Sequence, residues 1–174
     1  MEASNPLTVA VSALVEDLNN SSPIVLLHHV ESDRILPIWI GDFEARAISV
    51  ALNKVNLERP LTHNLLHGVI KGFGGVLDSV IVDRLKDKTY FSSIYIRVDQ
   101  KMIKVDARPS DAIALAITAG IPISVEQAIL DVAGQKNPVQ KLHHHHKNIE
   151  MSSTDIKKLS ALLEAARERE QKKS

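Results

Sequence analysis

The sequence predicts an α+β domain built from two three-stranded β-meander segments with helices packed against them. Alternation of apolar and polar residues marks each group of strands, short polar turns join the strands, and helical apolar spacing follows each group. A body of about 135 residues buries roughly two-thirds of its unfolded surface, so it needs neither disulfides nor a structural metal. The 174-residue chain has no cysteine, which suits a reducing compartment.

The first meander and two helices occupy the first half of the chain. Its predicted strands are Leu7–Val15, Ile24–Leu27 and Leu36–Ile40. Asp42 and Thr62 are predicted N-caps of the two helices, because each side chain can accept an orphan backbone N–H. We expect the second helix to bury its apolar stripe, which consists of Leu65, Leu66, Val69, Ile70 and Phe73.

The second meander leads into the most apolar helix of the chain. Its predicted strands are Val76–Leu85, Tyr90–Val98 and Met102–Ala107. The helix after Pro109 is almost entirely apolar and should be buried on most sides, with Gly120 ending it. Ser124 and Gln127 have the spacing of a capping box for a last short helix.

The chain divides into a body and an appendage. Residues 1–134 form the predicted domain, and residues 135–153 form a polar linker that contains His143 to His146. Residues 154–174 form a predicted C-terminal amphipathic helix. Its apolar residues follow heptad spacing over only two heptads, so it should pack on the body or on a partner.

Composition limits the classes of partner. Lys plus Arg and Asp plus Glu both number 21, and aromatic residues are 3% of the chain, so neither a basic footprint nor a base-stacking platform is evident. No apolar run approaches the ~20 residues of a membrane span. The N-terminus lacks the pattern of a secretory signal. We therefore expect a cytoplasmic protein with no membrane partner.

A polar junction at residues 106–111 precedes the apolar helix. In a structural interpretation Asp106 bonds Arg108, Pro109 takes the first helical position and Asp111 complements the helix dipole. In a functional interpretation Asp106 and Asp111 hold a divalent metal, such as Mg²⁺ or Mn²⁺, or activate water, while Arg108 binds phosphate. The spacing leaves both interpretations open.

Two other helix starts carry polar side chains. Arg59 can bind phosphate and His63 can act as a general base, although a solvent-facing histidine beside a helix cap would look the same. His63 and His67 lie four residues apart, but a metal pair lacks a third ligand. Glu44 lies in the first turn of the first helix, where the dipole alone favours a carboxylate.

Three blocks of the sequence resemble the signature blocks of the bifunctional nuclease domain family. They are LPIWIGDFEARAI at Leu36–Ile48, RPLTHNLL at Arg59–Leu66 and VDARPSDAIALAI at Val105–Ile117. The resemblance covers about residues 7–133. It implies a mixed, mostly antiparallel sheet with helices against it, a homo-oligomer, most simply a dimer, and a nuclease that hydrolyses phosphodiester bonds of RNA, DNA or both.

The resemblance also implies the site residues. The catalytic candidates are Glu44, His63, Asp106 and Asp111, and the substrate-binding candidates are Arg59, Thr62, Arg108 and Ser110. This chain departs from the expected RPLTHD block at Asn64, whose amide cannot act as a carboxylate base. The alternative is a non-catalytic binding or regulatory module that self-associates, which zero net charge and few aromatics favour.

Overall fold

The computed structural model describes residues 5–18, 20–55 and 58–137, which form eight strands and four helices. The strands are β1 (Pro6–Glu16), β2 (Pro23–His29), β3 (Arg34–Trp39), β4 (Gly75–Lys86), β5 (Thr89–Val98), β6 (Lys101–Ala107), β7 (Ile123–Glu126) and β8 (Gln135–Lys136). The helices are α1 (Asp42–Leu52), α2 (Thr62–Gly72), α3 (Pro109–Ala119) and α4 (Gln127–Ala133). The predicted C-terminal helix and the linker beyond residue 137 lie outside the described residues.

All eight strands belong to one sheet with the order β6-β5-β4-β7-β1-β2-β3-β8. Each predicted meander forms as consecutive antiparallel strands. The short strand β7 joins them, since it pairs parallel with β4 and antiparallel with β1. The sheet is therefore mixed and mostly antiparallel, and the predicted α+β class is confirmed.

Helix α3 is the centre of the core. Pro109, Ser110 and the run Ala112 to Ala116 are buried, as the nearly unbroken apolar sequence predicts. The helix lies against β4 and β5, and both α1 and α2 pack against it. Gly120 ends α3 in the left-handed conformation with φ of 70°, which a residue with a Cβ adopts only at a cost.

The expected burial of the α2 stripe is wrong. No residue of α2 is buried, and Leu65, Leu66 and Val69 are each more than two-fifths exposed. Phe73, just after the helix, is 85% exposed. Ile70 packs towards Gly75 and Ile96, while the other stripe residues stay at least two-fifths exposed. Helical periodicity identifies an apolar face but not what covers it.

Three predicted caps are also wrong. Gly41 and Leu61 are the N-cap residues of α1 and α2, so Asp42 and Thr62 are already the first helical residues, and neither cap makes a side-chain hydrogen bond. Ser124 lies inside β7 and not at the start of α4, because pairing with β1 and β4 extends the strand to Glu126. Helix starts predicted from sequence commonly differ by one or two residues.

Two further features concern the ends of the domain. Gln135 and Lys136, the first residues of the predicted linker, form β8 and pair with β3. Asn137 continues this contact, donating from its backbone N–H to the carbonyl of Asp33. Within the described part of the chain, none of the helices has the length and apolar character needed to cross a membrane.

Candidate functional site

The starts of three helices meet at one cluster of polar side chains. Glu44 projects from the first turn of α1, His63 from the first turn of α2, and Arg108 and Asp111 from the start of α3. Four of the eight predicted site residues are therefore linked by a series of contacts from Glu44 through Arg108 and Asp111 to His63, although they lie up to 67 residues apart in the sequence. We call Glu44, His63, Arg108 and Asp111 the helix-start cluster.

Arg108 is the centre of this cluster. Its Nε donates to Asp111 Oδ2 at 2.7 Å and its Nη2 to Asp111 Oδ1 at 3.2 Å, which makes a bidentate pair. Its Nη1 lies 2.9 Å from Glu44 Oε1. The hydrogen bonds from Arg108 to Asp111, followed by the charge of Asp111 and the contact with Glu44, raise the pKa of the guanidinium, which stays protonated.

His63 lies on the enclosed side of the cluster. Its Nε2 is 3.6 Å from Asp111 Oδ1, which is longer than a hydrogen bond but within reach of an ion pair when the ring is protonated. The His63 side chain is 16% exposed and that of Arg108 is 66% exposed. The cluster thus combines a solvent-exposed guanidinium with a largely buried imidazole.

The predicted substrate-binding residues have different surroundings. Ser110 is buried in the first turn of α3, whereas Thr62 and Arg59 are exposed at and just before the start of α2. Arg59 forms no ion pair with any described residue, so its guanidinium is open to solvent. Three helix starts and two arginines therefore border the same part of the surface.

Asp106 does not join the helix-start cluster. It pairs across the sheet with Ser93, whose Oγ donates to Asp83 Oδ2 at 2.5 Å. Residues directly opposite each other share a face, and the neighbours Ser92 and Ile94 belong to the opposite face, where α3 packs. The structure therefore places Asp106 on the face away from α3, and the predicted bond from Asp106 to Arg108 does not form.

A comparison with known families decides the membership of the chain. Residues 25–138 match the bifunctional nuclease domain. The chain belongs to this family. The match includes all three blocks singled out in the sequence, and with them every residue of the helix-start cluster.

Relatives within the family divide into two groups. An uncharacterised protein of Mycobacterium tuberculosis is 41% identical over 124 residues, which cover 71% of this chain and 73% of the relative. "Bifunctional nuclease 1" of Oryza sativa subsp. indica is 28% identical over 118 residues, covering 64% of this chain and 36% of the relative. "Bifunctional nuclease 2" of Arabidopsis thaliana is 28% identical over 61% of this chain and 33% of the relative. The chain thus spans about a third of each plant protein.

The side chains of the helix-start cluster are not arranged to bind a metal ion. Among residues 5–18, 20–55 and 58–137, no three histidine or carboxylate side chains are close enough together to hold one. The guanidinium of Arg108 takes the position between Glu44 and Asp111 that a shared cation would need. A positive charge already bridges the two carboxylates.

His67 is separate from the cluster. It lines a cavity of about 440 Å³ between α2, the start of β4 and the end of α3, together with Lys71, Ala119 and Ile121. His63, one turn earlier, faces Asp111 instead. The two histidines therefore have different surroundings. Their four-residue spacing on α2 does not bring them together as a metal-binding pair.

Sequence reasoning missed a second polar group, on the face away from α3. Asp83 accepts from Ser93 and lies 2.9 Å from Lys104 Nζ. The hydrogen bond to Asp83 raises the pKa of Lys104. Asp83, Ser93 and Lys104 lie on the three adjacent strands of the second meander. Alternation could have placed Ser93 and Lys104 on one face, whereas a register shift between Val82 and Arg84 interrupts the alternation at Asp83.

Proposed function

We propose that this protein is a nuclease that hydrolyses phosphodiester bonds of RNA, DNA or both at the helix-start cluster. The observation that carries the proposal is the convergence of Glu44, His63, Arg108 and Asp111 from three separate helix starts. Structural capping of three helices does not require that these side chains contact one another. The names of the plant relatives support the same activity.

The cluster supplies a phosphate ligand. Arg108 is protonated and two-thirds exposed, so it can leave one carboxylate and donate to the non-bridging oxygens of a phosphodiester. Arg59 is exposed at the neighbouring helix start and provides a second guanidinium. The amino ends of α1, α2 and α3 add their positive dipole ends on the same side.

The cluster also supplies a proton acceptor. Asp111 stands beside Nε2 of His63 and favours a proton on that nitrogen, which leaves Nδ1 to accept one from water. As the water oxygen bonds to phosphorus, its proton passes to His63 and the bond from phosphorus to the leaving oxygen breaks. The leaving oxygen then takes up a proton from solvent and His63 releases its proton to solvent, which completes the hydrolysis. Glu44 keeps Arg108 oriented, because it holds the third nitrogen of the guanidinium.

Supporting roles in the proposed reaction fall to Asp106, Thr62 and Ser110. Thr62 is at the exposed start of α2 and can donate to phosphate, while buried Ser110 supports the first turn of α3. Asp106 would act only indirectly from the other face. No step is assigned to Mg²⁺ or Mn²⁺, since Arg108 already stands between the carboxylates, and their effect on the rate is left to the assay.

A non-catalytic binding or regulatory module is the second candidate. One observation favours it: both anionic members of the cluster are already paired with Arg108. A closed network of this kind also forms when three helix starts are simply fixed together. The module would bind a partner without turning it over.

The experiment compares the 174-residue protein with two histidine variants on single-stranded RNA and DNA, with Mg²⁺, with Mn²⁺ and with a chelator. We expect His63→Ala to lose activity by about 100-fold or more, the usual contribution of a general base. His67→Ala, on the same helix but in the cavity, should keep it. Equal trace cleavage by all three proteins would reveal a contaminant and overturn the proposal in favour of the module.

A further inference from the structure

Strand β6 is an edge strand with an unusually open surface. Six of its seven residues are exposed, and among the described residues only β5 pairs with it. Its outer row of backbone N–H and C=O groups is a template for another strand. The strand contains no proline and no bulge that would block such pairing.

The face of β6 on the helix side is apolar, and α2 carries exposed apolar residues on the same side of the sheet. Ile103 and Val105 lie opposite Ile96 and Ile94 of β5, so they share the face against which the helices pack. They are 45% and 39% exposed. On the same side of the sheet, the exposed large apolar residues of α2 and its end are Leu65, Leu66, Val69 and Phe73. A monomer would leave this combined apolar surface in water.

The opposite face of β6 carries charges in a self-complementary order. Lys104 and Asp106 flank Val105 and point to the same face. If a second β6 pairs antiparallel about a two-fold axis at Val105, Lys104 of each copy lies opposite Asp106 of the other. An axis at Lys104 would oppose like charges, and an axis at Ile103 would leave both Asp106 carboxylates without a cross-strand lysine.

We propose that β6 is the interface of a homodimer in which two copies pair antiparallel about Val105 and form one continuous sheet. The two α2 helices then lie on the same side of that sheet and cover the apolar surface between them. Lys104 lies 2.9 Å from Asp83 and is 57% exposed, so its ammonium group is accessible to Asp106 of the second copy.

A second copy fits this surface better than another partner, because every feature is its own complement. A two-fold interface brings the same patch of both copies together, which demands an apolar centre and paired opposite charges at equal distances from it. Val105 with Lys104 and Asp106 satisfies that demand. The helix-start cluster begins at Arg108, directly after β6, so the dimer is tested by mass and cross-linking, which do not depend on nuclease activity.

Cysteine scanning of the full chain tests the register, because the natural sequence has no cysteine. At the axis, the two copies of residue 105 have Cβ atoms about 5 Å apart. The two copies of residue 101 are separated by eight residue steps, roughly 26 Å. We expect Val105→Cys to form a disulfide dimer under mild oxidation, and Lys101→Cys to remain uncross-linked.

Light scattering on the cysteine-free protein measures the mass of the assembly. Variants that change the charge on β6 then test whether Lys104 and Asp106 stabilise the dimer. The wild type should have twice the 19.2 kDa chain mass at micromolar concentration. Asp106→Lys should raise the dimer dissociation constant at least about tenfold, because it opposes lysines at both ends of the axis. Glu31→Lys, an equal charge change at the turn after β2, should not. A monomeric wild type, or a dimer that Lys101→Cys cross-links as well as Val105→Cys, would overturn the proposal.

Discussion

Arg108 and Asp111 form a bidentate ion pair across the first turn of α3, with N–O distances of 2.7 and 3.2 Å. The pair is unusual because both residues also reach other helices, Arg108 to Glu44 on α1 and Asp111 to His63 on α2. The first turn of the buried helix therefore fixes the relative positions of all three helix starts.

The Arg108→Ala variant tests whether the guanidinium binds phosphate. Loss of one donor to developing charge typically costs about 100-fold in kcat. The fold should survive, because the side chain is mainly solvated and exposed ion pairs contribute little. The measurement is kcat/KM on a single-stranded oligonucleotide, with a thermal melt beside it. Arg46→Ala, an exposed arginine on α1, is the control, and equal losses in both variants would contradict the assignment.

The two aspartates of the polar junction should behave differently. Asp111→Asn removes the charge that orients both Arg108 and His63, and we expect a loss of about 100-fold in kcat. Asp106→Asn alters a side chain on the opposite face and should lower the rate far less. Steady-state kinetics on the two purified variants gives the comparison. A larger loss in Asp106→Asn would place the reaction on the other face of the sheet.

The sequence predicts the strands well because their signal is local. Alternation in each meander records which side chains meet the core, and turn residues end each strand within one or two positions. The path of β7 could not be predicted. Its pairing with β1 and β4 depends on contacts more than 40 residues away, and its four residues are too few to show a period.

The residue types of the candidate site are also predictable from local signals, while their catalytic roles stay a prediction. Helix starts collect Glu44, His63 and Asp111 for local dipole and capping reasons, so residue type alone identifies them as candidates. Which starts meet depends on α1 and α2 flanking α3, a tertiary property. Asp106 is adjacent to Arg108 in sequence, yet the alternation of β6 turns its side chain to the other face.

Two glycines should respond in opposite ways to alanine. A Cβ on Gly75 would lie 2.9 Å from Ile70 Cγ2 and 3.1 Å from Ile96 Cγ2, so α2 must move away from the sheet. We expect the free energy of unfolding to fall by about 1–3 kcal/mol. Gly68→Ala, inside α2 with no heavy atom within 4 Å, should raise it by about 0.5–1 kcal/mol. Urea denaturation measures both, and a stabilised Gly75→Ala would refute the packing.

Adjacent serines on β5 provide a second matched pair. Ser92 Oγ is buried and has no hydrogen-bond partner in the described chain, so Ser92→Ala should change stability by less than about 1 kcal/mol or increase it. Ser93 Oγ donates to Asp83, and Ser93→Ala should cost about 1–3 kcal/mol by leaving that carboxylate short of a donor. Denaturant unfolding of both variants tests the difference, and the reverse order would mean that Ser92 makes the more important bond.

Substitutions at Asn64 test whether the departure from the expected RPLTHD block affects the reaction or only the stability of α2. It is exposed in the first turn of α2, a turn with no acidic residue and with Leu61 as a cap that makes no side-chain bond. A carboxylate there interacts with the helix dipole, so Asn64→Asp should stabilise the protein by about 0.3–1 kcal/mol. High salt should reduce the gain.

The same variant should leave the nuclease rate within about twofold of wild type, because residue 64 is turned about 100° around the helix from His63. Asn64→Ala is the control that removes the amide without adding charge, and it should give no stabilisation. Kinetics and urea unfolding on the three proteins separate the two roles. If Asn64→Asp raised kcat tenfold or more, position 64 would belong to the reaction itself, and the asparagine would mark this chain as a weakened member of its family.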